Sequence, residues 1–449
     1  MSCLPPLQQR SIPDEKNGQL QIPSVPLARL PKAPESPDRL PFGISFMPLE
    51  TPQIARAFLG PSNPGERIRR SSVFYRPHAY KVRERLAMGM HDRMEEYMLA
   101  DGRIHASDSH GHARNFPLHF KSVRLRELML APGESLDLSC YPADWPEMHF
   151  REETYLRISI ERLIVSPQSS VCWFGNIAAV HVSEMIANGP VTQCAPFSFC
   201  IRGTRHFAHS DIRRAAALPG WEGAAGQAGR AGTVSGLQQT PFGPIPIAET
   251  PCPESHGTPG GPGSPGTQGT QGRNGGMSMI AGIEVHRLHG VSDGGLCVDV
   301  QAQDGEQGGR GGDGGAGGDG GAGALGWQHP QRVRSTGDGG DGGTGSDGGR
   351  GGKGGAGGLA SHVFLTLPHT AHTAVQIRAC PAAGGAGGRG GTGGRGGHGG
   401  RGGEGVTRFD STKDADGAQG SDGPPGKDGE SGPKGRDGNP PPVWVHTFL

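Results

Sequence analysis

Residues 384–405 read GGAGGRGGTGGRGGHGGRGGEG, and glycine recurring with a period of three decides how the second half of this chain folds. Six tracts share that period, and they cover residues 220–232, 257–275, 305–326, 337–358, 384–405 and 417–438. Each of the last four is 22 residues long. Low-complexity sequence has no reason to keep one length, whereas rods packed side by side need a common length. The tracts are therefore predicted to have a structural role, and the functional residues are expected at their ends.

The spacers between the tracts alternate in character. Spacers 276–304 and 359–383 carry alternating apolar residues typical of strands, and so does the tail after residue 438. Spacers 327–336 and 406–416 are polar and turn-like. If consecutive tracts run antiparallel, every strand-bearing spacer falls at one end and every other spacer at the opposite end. The period also fits a polyproline II helix, which has three residues per turn and no internal hydrogen bonds.

The predicted fold class is mainly β plus polyproline II, with a β-sandwich or β-solenoid base and a bundle of six antiparallel glycine-rich polyproline II helices. Short strands with alternating polarity, such as residues 155–161, supply the base. The pattern does not choose between sandwich and solenoid. The predicted domains are a proline-rich extended arm (1–75), an amphipathic helix (76–102), a β domain (103–219) and the glycine-rich bundle with interleaved strands (220–449).

Composition excludes several classes of function. The 43 basic and 43 acidic side chains balance, so no net charge steers the chain toward nucleic acid or an acidic membrane. No apolar run is long enough for membrane insertion. The first 17 residues show no secretory signal, so cytoplasmic synthesis is expected, while export or assembly on a particle surface stays open. Eight scattered cysteines without a CxxC pair indicate free thiols.

Motifs for known chemistry are scarce. The RGG steps lack interleaved aromatic residues, so nucleic-acid binding is not predicted. No GxxxxGK[ST] or GxSxG motif occurs, and neither a cofactor nor an enzymatic activity is predicted. One cluster of metal-ligand residue types stands out, and it comprises His105, Asp108, His110, His112 and the nearby His119. Imidazole and carboxylate groups suit Zn, Ni or Fe, although a polar glycine-containing loop explains the same residues.

The turns between tracts are the candidate recognition sites. Aromatic and arginine residues, which binding surfaces favour, concentrate there. The residues are Phe242 in the first turn, Trp327, His329, Arg332 and Arg334 in the second, and Arg408, Phe409 and Asp410 in the third. Aromatic faces also stack on sugar rings. The alternative interpretation is that these rings only cover the end of the bundle.

Two runs carry a resemblance to known families. GGRGGDGGAGG and GGTGGRGGHGGRGG resemble glycine-rich bundle proteins, among them snow-flea antifreeze protein and the glycine-rich tips of some bacteriophage tail-fibre adhesins. GPPGKDGESGPKGRDG, within 417–438, is similar to bacterial and fungal collagen-like proteins. The resemblance covers about half of the chain. It implies polyproline II packing and, for the adhesins, recognition loops at the tips of the tracts.

These features predict a non-enzymatic structural or adhesive protein that serves surface attachment or the assembly of a matrix or filament. Its expected partner is a surface glycan or a protein, and self-association is open. One alternative is a phage-type tail-fibre adhesin that binds a receptor. Another is a metal-dependent enzyme that uses the cluster between His105 and His119.

Overall fold

A computed structural model describes residues 26–61, 63–74, 116–141, 154–204, 217–233, 237–246, 255–329, 332–334, 336–408 and 411–448. The amphipathic helix predicted over 76–102 lies outside these ranges. Among the described helices, none has the length and apolar character needed to cross a bilayer.

The described chain is built on two β-sheets, and its strands are numbered in chain order. The larger sheet contains β1 (Leu27–Arg29), β2 (Gly43–Leu49), β3 (Leu118–Met129), β5 (Thr154–Val165), β7 (Asn176–Ala187), β11 (Ala281–Val285), β12 (Leu288–His289), β16 (Val363–Pro368) and β18 (Val443–Phe448). The smaller sheet contains β4 (Ser135–Asp137), β6 (Ser170–Phe174), β8 (Phe197–Arg202), β13 (Leu296–Gln301) and β17 (Val375–Cys380). Two hairpins stand apart, β9 (Leu237–Thr240) with β10 (Gly243–Pro246) and β14 (Trp327–His329) with β15 (Arg332–Arg334).

The strand order explains how the chain winds. The larger sheet runs β1-β2-β3-β5-β7-β11-β16-β18, with β12 beside β7, and only the β2–β3 pair is antiparallel. The smaller sheet runs β17-β13-β8-β6-β4 and is wholly parallel. From β3 to β17 the chain therefore visits the two sheets in turn.

The main core lies between the two sheets. Alternation in β5 turns Leu156, Ile158 and Ile160 inward, and Trp173 and Phe199 meet them from the smaller sheet. All five are buried. Burying a large apolar side chain contributes about 1.5–3 kcal/mol, so this layer supplies much of the driving force for folding.

An N-terminal layer covers the outer face of the larger sheet. It contains α1 (Pro52–Leu59) and α2 (Pro64–Phe74), and Phe58 packs edge-on against Phe120 at 5.3 Å between ring centroids. The sequence predicts an extended arm here, whereas the described part of the arm folds onto the sheet. Both helices begin at a proline, a residue that is favoured at the first helical position because its missing N–H is not needed there.

The six glycine tracts lie in three long connections between the sheets, with two tracts in each connection. Each leaves the smaller sheet and returns to the larger one: from β8 to β11, from β13 to β16 and from β17 to β18. The described tracts contain neither helix nor strand. The six tracts together are called the glycine array below.

Backbone hydrogen bonds that recur every three residues join neighbouring tracts of the glycine array. The N–H groups of Gly309 and Gly312 donate to the carbonyls of Thr270 and Thr267, an antiparallel register. The inter-tract bonds measure 2.7–3.0 Å, and tracts that follow one another in sequence pair in this antiparallel way. Close approach requires glycine, since a Cβ at most of these positions would lie about 2 Å from a carbonyl oxygen of the next tract.

The predicted fold class is wrong. The regular structure is a mixed nine-stranded sheet facing a parallel five-stranded sheet, with few helices, and no polyproline II bundle is shown within the described ranges. The physical reason is that the spacer strands do not form separate units but add in parallel to the two sheets. The prediction of β-strands in the spacers and the tail is confirmed.

Candidate functional site

A row of polar side chains crosses the outer face of the larger sheet. Its members are partners in register on six adjacent strands, and they are Arg124, Ser159, His181, Glu284, Thr366 and His446. Adjacent strands lie about 4.8 Å apart, so same-face side chains in register are neighbours. The row thus places cationic, neutral and acidic groups side by side under the N-terminal layer.

Helix α2 pairs with one half of this polar row through buried charges. Arg70, only 3% exposed, donates from Nε to Glu66 at 2.9 Å and from Nη2 to Glu284 at 3.2 Å. Thr366 donates to the same Glu66 carboxylate at 3.1 Å. His446 Nδ1 lies 3.2 Å from the other Glu66 oxygen. One guanidinium therefore joins two carboxylates that are more than 200 positions apart in the sequence.

A cavity of about 510 Å³ opens over the other half of the row. Its walls come from residues 35–38, the end of α1, the start of α2, and strands β3, β5 and β7. Four arginines line it: Arg56, Arg67, Arg124 and Arg157. The acidic residues of the lining, Glu35, Asp38 and Glu161, are all exposed.

Arg157 is the most buried cation of the cavity. It is 8% exposed; its Nη1 donates to the carbonyl of Phe58 at 2.5 Å and its Nε to Ser159 Oγ at 3.0 Å. Burial lowers the pKa of Arg157 to about 10, so the group stays charged at neutral pH. Among the described residues no carboxylate forms an ion pair with it.

His181 lies where the cavity meets the buried charges. Its Nδ1 is 3.1 Å from Glu284 Oε2. Burial, followed by the positive charge of Arg157, lowers the pKa of the His181 imidazole, and the hydrogen bond to Glu284 only partly opposes this. The imidazole is therefore neutral near pH 7.

One group of described residues has the geometry to hold a metal ion. Ligand atoms of His181, Glu284 and His286 all lie within 4.8 Å of one another. The sequence did not predict this group, because His181 lies about 100 residues before Glu284 and His286. The predicted metal ligands His105, Asp108, His110 and His112 lie outside the described residues, and His119 is half-buried in β3.

The predicted recognition residues belong to three turns. Phe242 is 97% exposed at the tip of the β9–β10 hairpin. In the second turn Trp327 pairs with Arg334 and His329 with Arg332 across the β14–β15 hairpin.

In the third turn, Arg408 contacts Asp414 at 2.6 Å. Phe409 and Asp410 of the same turn lie outside the described residues.

The three turns lie at the same end of the glycine array. The N–H of Gly326, before the second turn, donates to Glu404 O at 3.0 Å, beside the third turn. Ser255, which follows the first turn, accepts from Ala324 N at 2.8 Å. The opposite end of the array meets the sheets, where Ala302, Ala360 and Ala382 are buried together.

Sequence reasoning missed the polar row and the cavity. The alternation in residues 155–161 does place Arg157 and Ser159 opposite the apolar core face. It carries no signal that α1 and α2 would cover that face, since the covering segment was predicted as an extended arm.

Comparisons with known proteins give no family. No family model matches the chain, and no curated protein matches it. Among solved structures, a springtail antifreeze protein from Granisotoma rainieri, described as a nine polyproline type II helical bundle, is 22% identical. The match covers 52% of this chain and 95% of that chain, with a TM-score of 0.10.

A TM-score of 0.10 carries no argument about the fold. The predicted resemblance to glycine-rich bundle and collagen-like families is wrong, since no family model of either kind matches the chain. Its basis was repeat composition, which any closely packed glycine segment shares.

Proposed function

We propose that this chain is a non-enzymatic attachment protein whose turns at the far end of the glycine array bind a surface glycan. The observation that supports the proposal is the gathering of three turns at the end away from the sheets, with Phe242 97% exposed. A fully exposed phenylalanine contributes nothing to the core. It offers an apolar ring of the kind that stacks on a sugar face or anchors a contact.

The arrangement also suits presentation at a distance. The tracts that carry the second and third turns share one length of 22 residues, and their hydrogen bonds fix each against its neighbours. A binding surface on a rigid support loses less conformational entropy when it binds than one on a free loop.

Binding to a panel of immobilised glycans tests the proposal, with the full chain compared with Phe242→Ala. We expect a retained glycan whose affinity falls at least tenfold in the variant, equivalent to about 1.4 kcal/mol. Trp221→Ala is the matched control, because Trp221 is an 83% exposed aromatic on a tract outside the turns. Failure to retain any glycan, or equal weakening by both substitutions, would overturn the proposal. Retention only of a protein partner would replace the glycan with another ligand class.

A further inference from the structure

Three arginines around the cavity have backbone carbonyls rather than carboxylates as their recorded acceptors. Arg124 Nη1 donates to the carbonyls of Asp38 and Leu40 at 2.6 and 2.5 Å, and Arg67 Nε donates to Pro61 O at 3.0 Å. Arg157 donates to Phe58 O, as described above. Within the described part of the chain none of the three forms an ion pair. Neutral acceptors fix their orientation, and the carboxylates of Asp38 and Glu284 stabilise the charge of Arg157 without forming an ion pair with it.

Burial separates the two signs of charge in the cavity. The lining arginines are buried or half-buried, whereas Glu35, Asp38 and Glu161 are exposed to water. Glu35 also pairs with Arg39 at 3.3 Å. Water screens exposed charges much more effectively than buried ones. The inner end of the cavity is therefore electropositive even though acidic residues lie at its rim.

Arg157 retains donors for a ligand. A guanidinium has five N–H groups, and Arg157 uses two of them, toward Ser159 Oγ and Phe58 O. A buried charge without an ion pair is costly, so a bound anion would relieve part of the cost of burying Arg157. The planar fork of arginine matches the paired oxygens of phosphate and sulfate.

The same surroundings disfavour a cation at His181, Glu284 and His286. Arg70 already pairs with Glu284 at 3.2 Å. Burial, followed by the positive charge of Arg157, lowers the pKa of the His181 imidazole and so opposes positive charge there. A divalent ion held there would lie beside a carboxylate that Arg70 already neutralises and near the positive charge of Arg157. The cluster therefore supplies imidazole donors beside an anion more readily than metal ligands.

We propose that the cavity binds a small molecule bearing a tetrahedral oxyanion, a phosphate or sulfate group, with Arg157 at its inner end and Arg124 and Arg67 at its walls. A volume of about 510 Å³ accommodates a ligand larger than the bare ion. The site is separate from the turns at the far end of the glycine array, and it does not depend on the proposed attachment function.

Titration calorimetry of the full chain with inorganic phosphate, sulfate and acetate, at constant ionic strength in chloride, tests the proposal. We expect saturable binding of phosphate or sulfate that weakens at least tenfold in Arg157→Gln and in Arg124→Gln. Arg126→Gln is the matched control, because Arg126 is exposed on the same strand and does not line the cavity. The stronger of the phosphate and sulfate responses identifies the group.

Three results would overturn the proposal. These are no saturable binding of either oxyanion by the wild-type chain, binding of acetate alone, and equal affinity in the wild type and both variants. If Arg157→Gln does not fold, Arg124→Gln and Arg67→Gln decide the question. The pKa of the His181 imidazole is a readout that a purely structural role of these arginines would not change. Added phosphate should raise this pKa in the wild type but not in Arg124→Gln.

Discussion

Replacing Gly260 by alanine is expected to lower the free energy of unfolding by about 3 kcal/mol or more, whereas the same change at its neighbour Gly261 is expected to shift it by less than about 1 kcal/mol. A Cβ at Gly260 would lie 1.8 Å from Gly318 O, a carbonyl that accepts from Gly343 N–H at 2.8 Å. The two tracts would have to separate, and the adjoining hydrogen bonds would lengthen or break.

Gly261 is the matched control for this prediction. A Cβ there would lie 3.2 Å from Gln227 N, which a small shift accommodates. Both substitutions remove the same backbone freedom from the unfolded chain and keep the same N–H donor. The midpoint of denaturant unfolding measures the difference. Similar midpoints for the two variants would mean that the close contacts of the array do not limit stability.

Replacing Arg70 by methionine is expected to cost about 3–5 kcal/mol of unfolding free energy, because two buried carboxylates lose the cation they share and Glu66 is left with the more exposed Arg69 and His446. Glu66 and Glu284 are both buried, and Arg70 is the residue that joins them. The loss should detach α2 from the larger sheet, since the three residues link the helix to β11 across the fold.

Two further variants make the test of Arg70 specific. Arg69→Met removes the other arginine near Glu66, which lies 3.5 Å from its carboxylate but has a side chain 55% exposed, and it should cost no more than about 1 kcal/mol. Adding Glu284→Gln to Arg70→Met should restore part of the stability, because it neutralises a buried carboxylate that has lost its arginine. Equal losses of unfolding free energy in the two arginine variants would contradict the assignment of Arg70 as the cation shared by Glu66 and Glu284. So would strictly additive losses in the double variant.

The sequence revealed the strands well because their signal is local. Alternation at Leu296, Val298 and Val300 predicts β13, and the same pattern at Val363 and Leu365 predicts β16. The constant tract length also indicates that the glycine segments lie side by side. These features need only neighbouring residues or a comparison of lengths.

The rest depends on pairings that no local pattern encodes. His181 and Glu284 become neighbours only because β7 and β11 pair in one register, and a shift of one residue would turn either side chain to the other face. The helices were missed because of Pro52 and Pro64. Proline breaks a helix when it lies in the interior, but it is favoured in the first turn, where both of these prolines lie. Function at the turns stays a prediction, since the sequence supplies residue types there but no partner.

About a quarter of the chain, the six glycine tracts, contains neither helix nor strand and is held in register by backbone hydrogen bonds that recur every three residues. Amide hydrogen exchange resolved by NMR over tract 305–326 tests this claim most directly. The N–H groups of the glycines from Gly308 to Gly323 donate to neighbouring tracts, and in the described structure those of Arg310, Asp313 and Ala316 have no recorded acceptor.

We expect the glycine amides to exchange on the order of a thousandfold more slowly than the amides of the residues between them, a difference equivalent to about 4 kcal/mol. Both glycines of each triplet in this tract donate hydrogen bonds, so slow exchange at only one of the two, or rapid exchange throughout the tract, would contradict this expectation. The first result would change the register of the glycine array, and the second would show that the glycine tracts are not ordered in solution.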